Sequence, residues 1–398
     1  MKVLMVNKFL RPQGGSETYA LSLGKALEKA GNRVEYFGME EEKRIVGNCA
    51  ESYTSNMDFH AVGARKFLYP FKIIYSFEAR AKIRKVLEKL QPDVVHLNNF
   101  NFQLTPSIIY EVHKFSKEKN KRIKIVYTAH DYQLVCPNHM LRNGKGKNCE
   151  KCISGNYWNC IKYSCIHGSK VRSMLGALEG YVYKLFNPYR YIQTIICPSF
   201  FMEKKLLKDK RFTGKTKVLH NFLDYAALHD VEKEPYVLYF GRYSEEKGIR
   251  NLLQVCKNNP GINFRFAGAG PLEEEINSIP NIKNMGFQTK ERLAELIEKA
   301  VFTVFPSEWF ENCPYSVMES IALGTPVLAA NVGGTPELIE DGKTGELFEG
   351  SNLPELDKKL RDMWKYRGRC MKYSNFCKEK KFKTSELYVE ELLKIYEE

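Results

Sequence analysis

Apolar and polar positions follow a repeating pattern along this chain: a short apolar run, a polar or glycine-bearing turn, then a helical stretch. Val3-Leu4-Met5-Val6 meets Pro12-Gln13-Gly14-Gly15, and Tyr19, Leu23, Leu27 and Ala30 follow at helical spacing. Gly31 stands as a C-cap, and Val34, Tyr36 and Phe37 open the next run. Val94-Val95-His96-Leu97-Asn98 and Ile125-Val126-Tyr127-Thr128-Ala129-His130-Asp131 both end in polar residues. The pattern restarts at Val237-Leu238-Tyr239-Phe240 and recurs at Phe264 to Gly268, Phe302 to Phe305 and Val327 to Ala330. Such alternation predicts parallel strands with helical crossovers, hence an α/β protein with two Rossmann-like doubly wound domains in tandem. The expected boundaries are 1–218, with a cysteine-rich insertion at about 136–168, then 219–371, and a charged amphipathic helix over 372–398.

In open parallel sheets ligands bind beyond the carboxyl ends of the strands. The polar residues directly after strands are therefore the ones to weigh: Gly14 and Gly15, His96 and Asn98, His130 and Asp131, Arg242, and Glu311.

Charge narrows the partners. The chain has 398 residues and a net charge of +14, and the first 190 residues hold 31 Lys and Arg against 16 Asp and Glu. A basic half suits anionic partners such as phosphorylated substrates, a membrane surface or nucleic acid. No nucleic-acid-binding motif accompanies the charge, so nucleic acid is not an expected partner. The stretch Phe67-Leu68-Tyr69-Pro70-Phe71-Lys72-Ile73-Ile74-Tyr75, with cations on both sides, suits either an anionic membrane interface or a core-facing helix. The first apolar run breaks at Asn7-Lys8, too short for a signal peptide, so a cytoplasmic protein, peripheral on the membrane's inner face, is expected. Five of the 11 cysteines fall between Cys136 and Cys165. Cys149, Cys152, Cys160 and Cys165 form a candidate structural zinc site, with locally packed free thiols as the other reading.

Three stretches carry chemistry. Gly241-Arg242 and Glu246-Lys247-Gly248 put two cations after a strand and before a helix, suited to phosphate, or to a surface ion pair with Glu245 or Glu246. Gly268-Ala269-Gly270-Pro271-Leu272 follows another strand and lets backbone approach a ligand. It fails the dinucleotide fingerprint, because Glu273 stands where a third glycine would be required. Glu311 and Glu319 flank a strand-to-helix turn whose N–H groups near Cys313 and Tyr315 suit a phosphate. One carboxylate on each side of an anion pocket fits a sugar nucleotide.

Together these residues resemble the retaining glycosyltransferases of family four, of GT-B fold. The resemblance rests on Glu311-x7-Glu319 followed by Gly324-Thr325-Pro326, on Gly241-Arg242 with Glu246-Lys247-Gly248, and on Gly268-x-Gly270-Pro271-Leu272. It also rests on His220-Asn221-Phe222-Leu223-Asp224, Gly333-Gly334-Thr335-Pro336-Glu337, Gly14-Gly15-Ser16-Glu17 and His130-Asp131. It implies two domains facing across a cleft, with the last helix returning to the first domain. It implies that Arg242 and Lys247 hold the donor diphosphate, Glu319 the ribose, and Glu311 the transferred sugar. Gly15, Gly268, Gly270, Cys313 and Tyr315 would complete the donor site. His130 would sit near the sugar, with Gly14, His96, Asn98 and Asp131 on the acceptor side. The family commonly has Phe-Gly where Cys313-Pro314 stands, and proline removes one N–H from the donor's side. The expected activity is metal-independent, retaining hexosyl transfer from a UDP- or GDP-sugar to a glycan or lipid-linked acceptor in cell-surface polysaccharide assembly. No cofactor is expected for catalysis. A sugar-nucleotide epimerase or phosphorylase on the same fold is the alternative, with a basic non-enzymatic nucleic-acid-binding protein behind it.

Overall fold

A computed structural model describes residues 1–56, 74–224 and 231–398. Two compact units emerge. The first comprises Met1–Asn221 with Ser385–Glu398, and the second Phe222–Thr384.

The first unit runs β1 (Lys2–Val6), α1 (Gly15–Lys29), β2 (Arg33–Phe37), α2 (Phe77–Leu90), β3 (Val94–Leu97), α3 (Ser107–Glu118) and β4 (Lys124–Thr128). It continues with α4 (Trp158–Lys162), α5 (Lys170–Phe186), β5 (Thr194–Cys197), α6 (Phe200–Leu206) and β6 (Thr216–Val218). The strands form one sheet in the order β2-β1-β3-β4-β5-β6, with every neighbouring pair parallel. β3, β4 and β5 are buried along their whole length, as expected of parallel strands covered on both faces.

The second unit repeats the plan with β7 (Glu234–Phe240), α7 (Ile249–Asn258), β8 (Phe264–Ala267), α8 (Glu273–Asn277), β9 (Ile282–Gly286) and α9 (Lys290–Lys299). Then come β10 (Ala300–Phe305), α10 (Tyr315–Ala322), β11 (Val327–Ala330), β12 (Gly345–Phe348), α11 (Leu353–Lys365) and α12 (Arg367–Glu379). Its sheet order is β12-β11-β10-β7-β8-β9. Chain direction across the sheet therefore reverses between β1 and β3 in the first unit, and between β7 and β10 in the second. These switch points are where an open parallel sheet leaves a crevice for ligand.

The C-terminal expectation needs correction. Residues 372–398 are not one helix. α12 stays in the second unit, where Cys377 is buried and Ser374 Oγ donates to the Gly324 carbonyl. The chain then extends at Lys380, and the Leu223 N–H takes the Lys383 carbonyl at 2.9 Å, which ends the helical ladder. Only α13 (Ser385–Glu397) joins the first unit. There Tyr388 Oη lies 2.6 Å from Tyr19 Oη, and Tyr396 Oη lies 2.6 Å from His96 Nδ1.

Candidate active site

In the second unit, the loops after β7 and β10 carry the charged groups. β7 ends into Gly241 and Arg242, and Gly248 takes φ +72° to open α7. A Cβ at Gly248 would stand 1.9 Å from the Pro306 carbonyl oxygen, so only glycine lets the two loops close on each other. The Glu308 N–H donates to the Glu246 carbonyl at 3.0 Å, which fixes their register. Lys247 Nζ consequently meets Glu311 Oε1 at 2.5 Å, and Ser307 Oγ donates to the same oxygen at 2.8 Å. The Glu311 side chain is 7% exposed and that of Lys247 21%. Lys247 Nζ also lies 5.5 Å from the centre of the Trp309 ring.

Arg242 leans on Glu246 at 2.7 Å, the alternative the sequence left open, but its side chain is 63% exposed. Ser244 Oγ donates to Glu246 as well, and these partners hold the Glu246 carboxyl below the usual range against the opposing effect of burial. Behind Glu311 stands Gly333, at φ +65°, where a Cβ would fall 2.1 Å from the Glu311 carbonyl oxygen. The Gly334 N–H donates to that same carbonyl at 2.7 Å. Gly333 and Gly334 thus position the glutamate backbone.

Gly268 and Gly270 sit close by, for a reason the sequence did not disclose. A Cβ at Gly268 would lie 1.9 Å from the Gly241 carbonyl oxygen, and one at Gly270 2.5 Å from that of Tyr243. Loop-to-loop packing accounts for both glycines. The Cys313 side chain points into the apolar core beside Met318. Tyr315 opens α10 partly packed on that core, and Glu319 stands half-buried on the same helix. One group escaped sequence reasoning: the Trp309 indole N–H is buried with no acceptor. Its proximity to Lys247 is set by the Glu246–Glu308 loop contact, which spacing does not reveal.

At the first unit's switch point, Gly14 caps α1 and Gly15 begins it. Glu17 folds back beneath them, accepting from Asn7 Nδ2 and Ser16 Oγ. His130 Nε2 lies 3.0 Å from Asn98 Oδ1, an acceptor only, so the ring proton sits on Nε2. Burial pushes the His130 imidazole down to about 3 and keeps it neutral. Asn98 Nδ2 is buried without an acceptor, as are Asn101 Oδ1 and Gln103 Oε1 without donors. Asn101 Nδ2 reaches His139 Nδ1 at 2.7 Å, and the Phe102 ring stacks on His139 at 5.3 Å. Burial raises the Asp131 carboxyl, with Lys8 and His139 nearby pulling it back. Lys8 and His139 stand near Asp131, Glu17 near Lys8, and Asn101 on His139, a loop arrangement that spacing alone could not reveal.

His96 departs from the acceptor-side expectation. It is fully buried, with Nδ1 on Tyr396 of α13 and Nε2 on Thr128 Oγ1 of β4 at 2.7 Å, so both nitrogens are occupied. Among the described residues, no three His, Cys, Asp or Glu side chains are placed to hold a metal ion. Cys152 and Cys160 instead pack into an apolar cluster with Tyr157 and Ala177, and burial pushes the Cys152 thiol up to about 12. Cys165, hydrogen-bonded by Cys160, falls to about 7. Of the proposed membrane segment, residues 67–73 lie outside the described residues. Arg80 and Arg84 beyond it are engaged by Glu111, and Arg84 also by Glu88 and Glu118. No described helix is long and apolar enough to cross a membrane.

Comparison with known proteins gives the arrangement its context. Residues 13–227 match the family described as "Glycosyltransferase Family 4", and residues 225–380 match "Glycosyl transferases group 1". An uncharacterized glycosyltransferase of Methanocaldococcus jannaschii is 26% identical over 208 residues, which cover 50% of this chain and 57% of that protein. An uncharacterized 42.6 kDa protein in the cps region of Klebsiella pneumoniae is 23% identical over 85% of this chain and 87% of its own length. Among solved structures, Anabaena HepE in complex with UDP and glucose superposes with a TM-score of 0.66 at 17% identity, covering 99% of this chain and 100% of that one. That likeness extends to the whole two-unit GT-B fold.

Proposed function

This chain belongs to glycosyltransferase family 4, and from that premise we propose that it moves a hexosyl group from a nucleotide-diphosphate sugar to a glycan or lipid-linked acceptor, with retention of configuration. The observation that carries the reading is the Lys247–Glu311 pair at the β7/β10 switch point, with Arg242 exposed beside it. Two cations on loops fixed by backbone contacts suit a diphosphate leaving group, and oriented charge at a departing oxyanion is often the largest contribution to catalysis. On this reading the donor diphosphate takes Lys247 from Glu311. The freed carboxylate then accepts from hydroxyls of the transferred sugar, and Glu319 holds the ribose. The backbone at the start of α10 adds its N–H dipoles.

The bond from the anomeric carbon to the phosphate oxygen breaks, and a bond to the acceptor oxygen forms on the same face. The acceptor proton passes to the leaving phosphate oxygen. Arg242 and Lys247 supply the needed positive charge without a metal. Acceptor binding is assigned to the first unit's switch point, where Asn98 and the neutral His130 offer donors and acceptors beside the Asp131 carboxyl. The Klebsiella relative's place in a cps region supports surface polysaccharide as the product class. A cytoplasmic site of action follows from the donor.

Thermal shift against UDP, GDP and their sugar conjugates tests the donor half. UDP leads the panel because the HepE neighbour was solved with it. A ligand at 100-fold its dissociation constant should stabilise by about 2.7 kcal/mol. Nucleoside diphosphate release by Arg242→Ala or Lys247→Ala should fall by about a hundredfold or more. Absence of any nucleotide effect, or wild-type release by both variants, refutes the assignment.

A further inference from the structure

α5 shows an apolar face on both sides. Its buried side carries Ser173, Gly176, Ala177, Glu179 and Tyr183. A Cβ at Gly176 would come 2.4 Å from Ile166 Cδ1, and one at Gly180 2.8 Å from the Tyr157 ring. Those two contacts lock the helix in its rotation. The face turned outward carries Val171 (71% exposed), Met174 (56%), Leu178 (52%), Tyr181 (41%) and Leu185 (79%). At the ordinary helical turn these five fall within an arc of about 80°. Phe186 at its end and Trp158 on α4 are exposed too, and the Tyr181 hydroxyl accepts from the Trp158 N–H at 3.1 Å, joining the two helices in one patch. A contiguous apolar stripe of this kind on a soluble surface marks a contact site.

The surrounding charge selects the occupant. Residues 140–190 contain nine Lys and Arg against Glu150 and Glu179. Glu150 is neutralised by Lys205 and Lys208, and Glu179 is buried. Lys162, Lys170, Arg172, Lys184 and Arg190 remain at the surface around the stripe. An apolar ridge with aromatic members and a cationic surround matches the interface of an anionic bilayer, where acyl chains take the ridge and phosphates the cations. A protein partner would have to be both apolar and acidic over the same patch.

We propose that α5 and Trp158 form a docking face for an anionic lipid surface, with Val171, Met174, Leu178, Tyr181 and Leu185 entering the acyl boundary. This goes beyond the transfer reaction and does not depend on it. It places the chain on a membrane by a surface other than the Phe67–Tyr75 stretch.

The test uses the full chain with vesicles of phosphatidylcholine alone or with added phosphatidylglycerol. Co-sedimentation should favour the anionic vesicles by about tenfold or more and weaken as salt rises. Fluorescence lost on Trp158→Phe substitution should shift to the blue on binding and be quenched by brominated acyl chains. The triple variant Met174→Ser/Leu178→Ser/Leu185→Ser should lose about tenfold or more in partitioning. Its melting temperature should hold, since all three side chains are exposed. Wild-type binding by a folded triple variant overturns the proposal, as does binding without quenching of Trp158. A lipid-free dimer that the triple variant dissociates would instead make a second copy the occupant. Protection of Met174 and Leu185 from hydroxyl radicals in lipid-free monomer would mean that the chain covers the face itself.

Discussion

Lys247 and Glu311 form the contact most exposed to refutation, because the two ends of the pair sit in different environments. At 2.5 Å, and with an effective dielectric of about 20, their gross attraction is about 6–7 kcal/mol. Most of it is offset by the cost of taking both groups out of water. Removing one partner exposes that cost, and the two removals should differ. Lys247→Met strands Glu311, 7% exposed, with only Ser307 to satisfy it. That should cost about 3 kcal/mol or more. Glu311→Gln leaves a lysine that is 21% exposed and flanked by the Trp309 and Phe305 rings, with a path to solvent. It should cost about 1 kcal/mol. The double variant should lie near the smaller value, giving a coupling of about 3 kcal/mol. The assay is urea unfolding followed by tryptophan fluorescence in a Trp158→Phe background, where the remaining tryptophans, Trp309 and Trp364, both belong to the second unit. Additive losses, or a larger loss for Glu311→Gln, would refute the reasoning. Nucleotide-dependent stabilisation should vanish in Lys247→Met even where the folded state persists.

Three further outcomes follow from burial and sterics. Burial pushes the Glu179 carboxyl up to about 8, so its contribution to stability is full below the unfolded value and lost as pH rises from about 4.5 to 8. Glu179→Gln should therefore stabilise by about 2–3 kcal/mol at pH 7 and by little at pH 4.5, read from melting curves at both. His96 is pushed down to about 3, so the unfolded chain binds the extra proton below about pH 6.5 and stability falls with acid. In a Glu179→Gln background, which removes the opposing slope, His96→Gln should flatten the pH dependence between 6.5 and 4 by about 1.4 kcal/mol per pH unit; an unchanged slope refutes it. Gly248→Ala adds a Cβ against the Pro306 carbonyl at a positive φ, and should cost about 2–4 kcal/mol and disturb nucleotide binding, whereas Gly261→Ala, with open space around it, should do neither.

Much of the architecture was legible because parallel strands covered on both faces are short continuous apolar runs. Val3–Val6, Val94–Leu97, Val237–Phe240 and Val327–Ala330 all lie in strands. Four strands went unread: β5, a buried run of only Thr194–Cys197, and β6, β9 and β12. The last three differ from β5. They are edge strands, and Thr216–Val218, Ile282–Gly286 and Gly345–Phe348 hold too few apolar residues to announce themselves. Arg242, Lys247 and Glu311 stood out in the sequence because they follow strand ends, and the sheet order brings the loops that carry them side by side. His96 was misread by the same rule: it follows two buried valines at a strand end, but its ring turns to α13, more than 250 residues away in sequence. The cysteine spacing did not disclose that Cys152 and Cys160 pack in an apolar cluster with Tyr157 and Ala177, because those partners arrive from other turns of the chain. Trp309, Asn101 and Gln103 sit in loops, where neither period nor cap gives a signal.

The return of α13 has a consequence for synthesis. His96 and Tyr19 emerge from the ribosome early, yet the hydroxyls that complete their hydrogen bonds, on Tyr396 and Tyr388, are translated only after the whole second unit. The unit begun first is finished last. Until then its nascent form carries an uncovered groove over α1 and β3, a binding opportunity for a chaperone and a liability for any truncated product that ends before Ser385.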